Sequence, residues 1–209
     1  MQLHSDSFRN NARIPAEFAF GAPGGHGEHV VLAPNRNPQL AWSGVPVAAR
    51  SLVLTCIDSD VPSRGDDVNQ EGRSVPASLP RVDFAHWLMI DIPVACTSFA
   101  AGAYCDGITP HGKRRPKGPP GSRQGKNGYT GWFAADPDMA GDYLGYDGPC
   151  PPWNDSVLHH YRFRVYALDV ARLGLPPGFE WPELKARLAG HVLAEAEHVG
   201  TYSLNPAVR

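Results

Sequence analysis

Three short stretches hold the side chains that could do chemistry. Asp58-Ser59-Asp60-Val61-Pro62 places two carboxylates two residues apart. His86-Trp87 puts an imidazole inside an apolar run. Asp147-Gly148-Pro149-Cys150-Pro151-Pro152 is a turn, followed by His159-His160-Tyr161. Imidazole N–H, phenol O–H and backbone N–H are all donors. Several donors aimed at one spot bind an anion, and a carboxylate behind an imidazole fixes its tautomer. The same groups could instead carry general acid–base or metal-assisted hydrolysis. Against that, Cys150 is flanked by prolines and has no evident base beside it. His26 and His29, in Gly-Gly-His-Gly-Glu-His, are too few for a metal-ligand set. Neither a metal nor a cofactor is expected.

Strands must position these groups. Arg50 to Ile57 is a continuous apolar and β-branched run, as in a strand buried on both faces, and the polar residues with Pro62 are expected to end it. Phe84 to Ile92 is a second such run, closed by Pro93, and His29 to Leu32 is a short third. Tyr161 to Leu168 alternates, with Tyr161, Phe163, Val165 and Ala167 on one face and Arg162, Arg164, Tyr166 and Leu168 on the other. Helical spacing is found late: Pro182 suits a first turn, and Leu184, Leu188, Val192, Ala196 and Val199 follow, with Gly190 as a candidate break. Two irregular stretches, 63–82 and 106–128, are long enough to be functional or mobile loops. The second carries Lys113, Arg114, Arg115, Lys117, Arg123 and Lys126 and reads as a solvated basic loop or a rim that steers acidic partners.

The chain has 209 residues, enough for one domain spanning 1–209 with a core of its own. Glycine (22) and proline (21) make about a fifth of it, which leaves little room for long helices. Strands with a helix only near the end indicate a mainly β fold, an antiparallel β-sandwich with peripheral helices. A net charge of −2 argues against nucleic acid as a partner. No run approaches the ~20 apolar residues of a transmembrane segment, and the first residues lack the pattern of a secretory signal. Cys56, Cys96, Cys105 and Cys150 match no zinc or disulfide pattern and read as reduced thiols of a cytoplasmic protein, with a Cys96–Cys105 pair as the alternative. A homodimer is expected on base rate alone.

Taken in order, D-S-D-V-P, D-F-A-H-W-L-M-I-D-I-P, G-P-C-P-P and H-H-Y-R-F-R-V-Y-A-L-D resemble the phosphatidylethanolamine-binding protein family, nearest its bacterial and archaeal Raf kinase inhibitor-like branch. The resemblance extends to Pro38–Trp42 and to the closing His191–Ala196 stretch. It implies a β-sandwich whose small cavity binds phosphate-type anions, phospholipid headgroups among them. It implies Asp58, Asp60, His86, Gly148, His159 and Tyr161 as the ligand-binding residues. Pro62, Trp87 and Pro149 would form the wall. His86 and His159 would donate to anion oxygens, Tyr161 its O–H and Gly148 its N–H. For some members it implies a regulated kinase or protease partner.

The chain departs from the family pattern in three places. Ser59 stands where the family has proline, His160 stands where it has arginine, and Trp153 to Leu158 replace a short glycine linker. An arginine there would hold a carboxylate bidentately, which histidine does less well. Asp83 reads as a turn residue, and His160 as lying on the outer face of its strand. A third reading, after the binding module and the enzyme, is a scaffold whose exposed loops matter and whose cavity is vestigial; Ser59 and His160 are its only support.

Overall fold

The computed structural model describes residues 1–25 and 27–208. His26, one of the two histidines considered for a metal, lies outside the described residues. In chain order the elements are β1 (Gln2–His4), β2 (Ala12–Arg13), β3 (Gly21–Pro23), β4 (Val30–Leu32), β5 (Leu40–Ser43), β6 (Ser51–Pro62), β7 (Arg81–Ile92), β8 (Ser98–Phe99), β9 (Arg123–Gln124), α1 (Tyr129–Trp132), β10 (His159–Leu168), α2 (Trp181–Leu188) and β11 (Val192–Tyr202). The apolar and β-branched runs form the long strands because such side chains pack well on a pleated surface. The largest sheet has the order β2-β11-β10-β6-β7-β9, and its long neighbours are antiparallel. A three-stranded sheet, β1-β5-β8, faces it.

The core lies between these sheets. Leu40, Trp42 and Phe99 from the small sheet pack with Leu52, Leu54, Trp87, Met89 and Phe163 from the large one. The other face of the large sheet is partly covered. There Val53, Ile57, Leu88, Ile90 and Tyr166 meet Leu184 and Leu188 of α2. The fold is mainly β with short helices, one of them near the C-terminal end, as composition and order indicate. Among the described residues no helix is long and apolar enough to cross a membrane.

Several local expectations change. β6 does not stop at Ile57. It runs on through Asp58 to Pro62, because Val61 and Pro62 still pair with Val82 and Arg81. The late helix ends at Leu188, where Gly190 turns the chain with φ +82°, and 192–202 is a strand paired along β10. Val192 and Ala196 are four residues apart, a spacing that fits period 2 as well as a helical turn, so periodicity there was ambiguous. The four cysteines are free, so Cys96 and Cys105 are not joined. Half of the basic cluster is tied down rather than solvated: Lys113 pairs with Asp147, Arg123 with Asp91 and Lys126 with Asp142.

Candidate functional site

Two β-bulges between β6 and β7 decide which side chains meet. Cys56 pairs with Trp87 and Ile57 with Ala85, so His86 is the extra residue between them. A bulge re-aims a side chain. Here it sends His86 to the core side, where its ring lies 5.0 Å from that of Tyr161. The second bulge lies between Asp58 and Val61. It leaves Asp58 inward beside His86 and sends Asp60 outward, where one carboxylate oxygen accepts the backbone N–H of His160 and pairs with its Nδ1, both at 2.9 Å.

The inward groups form the floor of a cavity of about 370 Å³. Asp58, His86, His159 and Tyr161 line it, and Pro62 is in its wall. The walls are aromatic: Phe20, Phe84, Tyr129, Trp132 and Phe133. Phe20 stacks on Tyr129 at 4.6 Å and Phe84 meets Tyr129 edge-on at 5.3 Å. The mouth carries Leu32 and Trp132, 69% and 54% exposed, and Arg64. This volume falls in the ~300–1,000 Å³ range of small-molecule sites.

The four floor residues differ in what they can still bond. His159 is committed on both sides, its Nδ1 to Asp58 at 2.7 Å and its Nε2 to Asp155 at 3.1 Å. Burial alone would lower its pKa, but the bonds to Asp155 and Asp58 prevail and raise it to about 9. It is therefore an imidazolium at neutral pH with no N–H to spare. Asp155 is forked in turn by Arg81, at 2.6 and 3.0 Å. His86 Nδ1 donates to the backbone carbonyl of Asp147 at 2.7 Å. A carbonyl only accepts, so the proton sits on Nδ1 and the neutral ring presents Nε2 as an acceptor. Burial lowers the His86 pKa and keeps it neutral, against the opposing pull of Asp58. The Tyr161 side chain is buried, and its hydroxyl has no hydrogen-bond partner among the described residues.

The remaining sequence candidates stand away from the floor. Gly148 donates its N–H to Asn35 Oδ1 at 2.8 Å, so that donor is taken. The space where a Cβ at Gly148 would sit is filled by the Phe18 carbonyl oxygen. Trp87 is fully buried in the core, with its indole N–H on Gln124 at 2.7 Å. Pro149 gives its carbonyl to the N–H groups of Phe20 and Gly21, and Cys150, Pro151 and Pro152 line the cavity in its place. His29 stacks on Trp153 at 3.6 Å and pairs with Glu71. Among the described residues no group of three or more His, Cys, Asp or Glu side chains could hold a metal ion.

Asp147 is a residue sequence reasoning passed over. Its carboxylate accepts from Asn35 at 2.8 Å, Lys113 at 2.6 Å and Asn127 at 2.8 Å, while its backbone holds His86. The isolated Asp before a Gly-Pro turn reads as a turn former, which hid this role. Asp155 had a signal in its place four residues before His159. Arg81 had none.

Comparison with known proteins follows the same lines. The profile of the phosphatidylethanolamine-binding protein family matches residues 4–203. The chain belongs to that family. It is 32% identical to a UPF0098 protein of Methanothermobacter thermautotrophicus over 97% of this chain and 98% of the relative. Among solved structures it resembles Escherichia coli YbcL, described as a member of the mammalian family, with a TM-score of 0.69, 26% identity and 97% of each chain covered. A family homolog from Chlamydia trachomatis gives 0.64 and 27%, covering 97% of this chain and 96% of that one.

Two of the three departures from the phosphatidylethanolamine-binding family pattern, Ser59 and His160, have local accounts. Ser59 sits with Asp60 in the bulge of β6, on the outward face. His160 engages the Asp60 carboxylate with ring and backbone together. Neither residue lines the cavity.

Proposed function

We propose that this protein binds a small molecule with a phosphate-type head and an apolar remainder, without transforming it. The head sits on Tyr161 and His86 beside Asp58, and the aromatic walls hold the rest. The observation that carries this reading is the Tyr161 hydroxyl, buried and unpartnered at the floor of the cavity. A buried O–H without a partner costs about 1–3 kcal/mol, which an occupant returns. His86 takes a proton as the anion enters, so affinity falls as pH rises. Of the two cavity imidazoles, His86 alone gives this dependence, because His159 is locked between carboxylates.

The chemistry of the floor supports binding over hydrolysis. Burial pushes the Cys150 thiol up to about 12, so no thiolate is offered at neutral pH. His159 is a spent acid. A cytoplasmic setting belongs to the same reading and is supported by the four free thiols.

Calorimetric titration with inorganic phosphate, phosphoethanolamine and phosphotyrosine, on wild type and Tyr161→Phe, tests it. Saturable binding that weakens tenfold or more in the variant is expected. No binding by any of the three, or equal binding by the variant, overturns it.

A further inference from the structure

A second concavity, of about 570 Å³, lies on the outer face of the large sheet, where α2 covers only part of it. Side chains alternate along β10, so Tyr161 and Phe163 turn inward while Arg162, Arg164 and Tyr166 stand outward. Ile57 and Ser59 of β6 complete the sheet side. Strand register sets Ser59 and Asp83 toward one end of this trough and Val192 toward the other. The opposing wall is α2. A capping box between Glu180 and Glu183 holds its start, and Leu184 and Leu188 are buried against the sheet. The trough is thus preformed, which spares a ligand the cost of shaping it.

Cations stand on both walls. Arg162 and Arg164 share one carboxylate, that of Glu197, at 3.2 and 2.5 Å. Glu197 approaches from β11, behind them. One carboxylate between two guanidiniums leaves most of their N–H donors unspent. Across the trough Lys185 lies 5.7 Å over the Trp181 ring and 3.7 Å from Asp83. Asp83 accepts the Trp181 indole N–H at 2.8 Å. Three cations against two carboxylates leave one positive charge over. Between the cations the lining is apolar, from Ile57, Tyr166 and Leu188.

We propose that this trough docks an acidic peptide segment of a partner protein. A glutamate or aspartate of that segment sits on Arg162 and Arg164, and a neighbouring apolar side chain packs on Ile57 and Tyr166. Glu197 shows what the arginines accept, and it acts as an internal competitor for them. The single surplus charge fits one carboxylate, whereas a phosphate monoester brings about −1.5 to −2. Cationic and apolar side chains line the same trough, which suits a chain with mixed side chains better than a lone head group. A recess between helix and sheet admits a peptide but not the face of a bilayer. The trough and the aromatic cavity lie on opposite faces of the same strands, so the two binding readings stand or fall separately.

The test selects random phage-displayed peptides on the full chain, then measures the most enriched one, fluorescein-labelled, by anisotropy. We expect enriched peptides to carry Asp or Glu beside an apolar or aromatic residue. The double variant Arg162→Gln, Arg164→Gln should bind the selected peptide about tenfold more weakly or worse, since charged hydrogen bonds are lost. Glu197→Gln should bind it about threefold more tightly, because the competing carboxylate is gone. If the arginines serve only the fold, Glu197→Gln weakens binding instead. Tyr161→Phe, in the cavity, should leave peptide affinity within about twofold, as expected for sites without shared partners. All three substituted trough residues are partly exposed, at 31–38%, so the variants are expected to fold. If the double variant does not, Glu197→Gln and the loss of affinity with added salt decide. Absence of acidic peptides from the enriched set, unchanged binding by the double variant or weaker binding by Glu197→Gln overturns the docking site. A phosphoserine in place of the peptide's acidic residue that binds tenfold more tightly overturns the carboxylate assignment.

Discussion

Asp58 and Asp60 stand two residues apart on one strand yet point to opposite faces of the sheet. In a regular strand residues i and i+2 share a face. The bulge between Asp58 and Val61 breaks that rule, putting one carboxylate on the cavity floor and the other on His160. Asp60→Ala should therefore leave phosphate ester affinity within twofold of wild type. Asp60 and His160 are partly exposed, so the stability cost should be only about 1 kcal/mol, from a screened pair and one backbone hydrogen bond. Calorimetry and urea unfolding of that variant check both. A tenfold loss of affinity would place Asp60 in the site after all.

The row Asp58, His159, Asp155, Arg81 alternates in charge and is largely buried, which makes stability depend on pH. The His159 pKa is raised from 6.5 to about 9 on folding. A raised folded value means the contribution is fully present below about 6.5 and is lost as pH rises through about 9. The shift corresponds to about 3 kcal/mol at its limit. Urea midpoints from pH 6 to pH 9.5 should fall accordingly, and the fall should shrink in Asp155→Asn, which removes one of the two carboxylates. A midpoint independent of pH in this window would mean that His159 is not held as an imidazolium.

Asp147 is buried and Lys113 is its one cationic partner among the described residues. Lys113→Met leaves the carboxylate with only the amide donors of Asn35 and Asn127. Removing one partner of a buried pair typically costs ~3–5 kcal/mol. Because the Asp147 carbonyl orients His86, the variant should also bind phosphate esters more weakly wherever it remains folded. Chemical unfolding measures the first effect and calorimetry the second. A loss below 1 kcal/mol would show that the two amides suffice.

How far the sequence could lead is visible in these same residues. The long strands, the fold class and the family were legible, since β-branched runs and the order of four motifs carry them. Asp58, His86, His159 and Tyr161 were legible as a group for the same reason. What each can bond was not. That His159 is saturated depends on Asp155 and Arg81, which approach from a loop and from β7. That the Gly148 N–H is taken depends on Asn35, over a hundred residues earlier. The fate of Asp60 depends on a bulge, and a one-residue irregularity leaves no mark in composition or period. The aromatic walls assemble Phe20, Phe84, Tyr129 and Phe133 from three separate segments, none of which stands out alone.

Tyr161→Phe separates the roles of this hydroxyl in folding and in binding. Its O–H is buried without a partner among the described residues, and its ring packs at 5.0 Å from His86. Deleting only the oxygen keeps the packing and removes an uncompensated polar group, a change that is near neutral or stabilising in the unliganded protein. The same deletion removes the donor that a phosphate oxygen would use. With a charged acceptor such a bond is worth about 1.5–3 kcal/mol, or roughly ten- to hundredfold in affinity. The variant should thus melt at or slightly above the wild-type temperature and bind phosphate esters ten- to hundredfold more weakly. Differential scanning fluorimetry with and without phenyl phosphate reads both quantities: the ligand-induced rise seen in wild type should largely vanish while the unliganded midpoint holds. A variant that melts several degrees lower without ligand would show that the hydroxyl serves the fold, and would remove the observation on which the binding site rests.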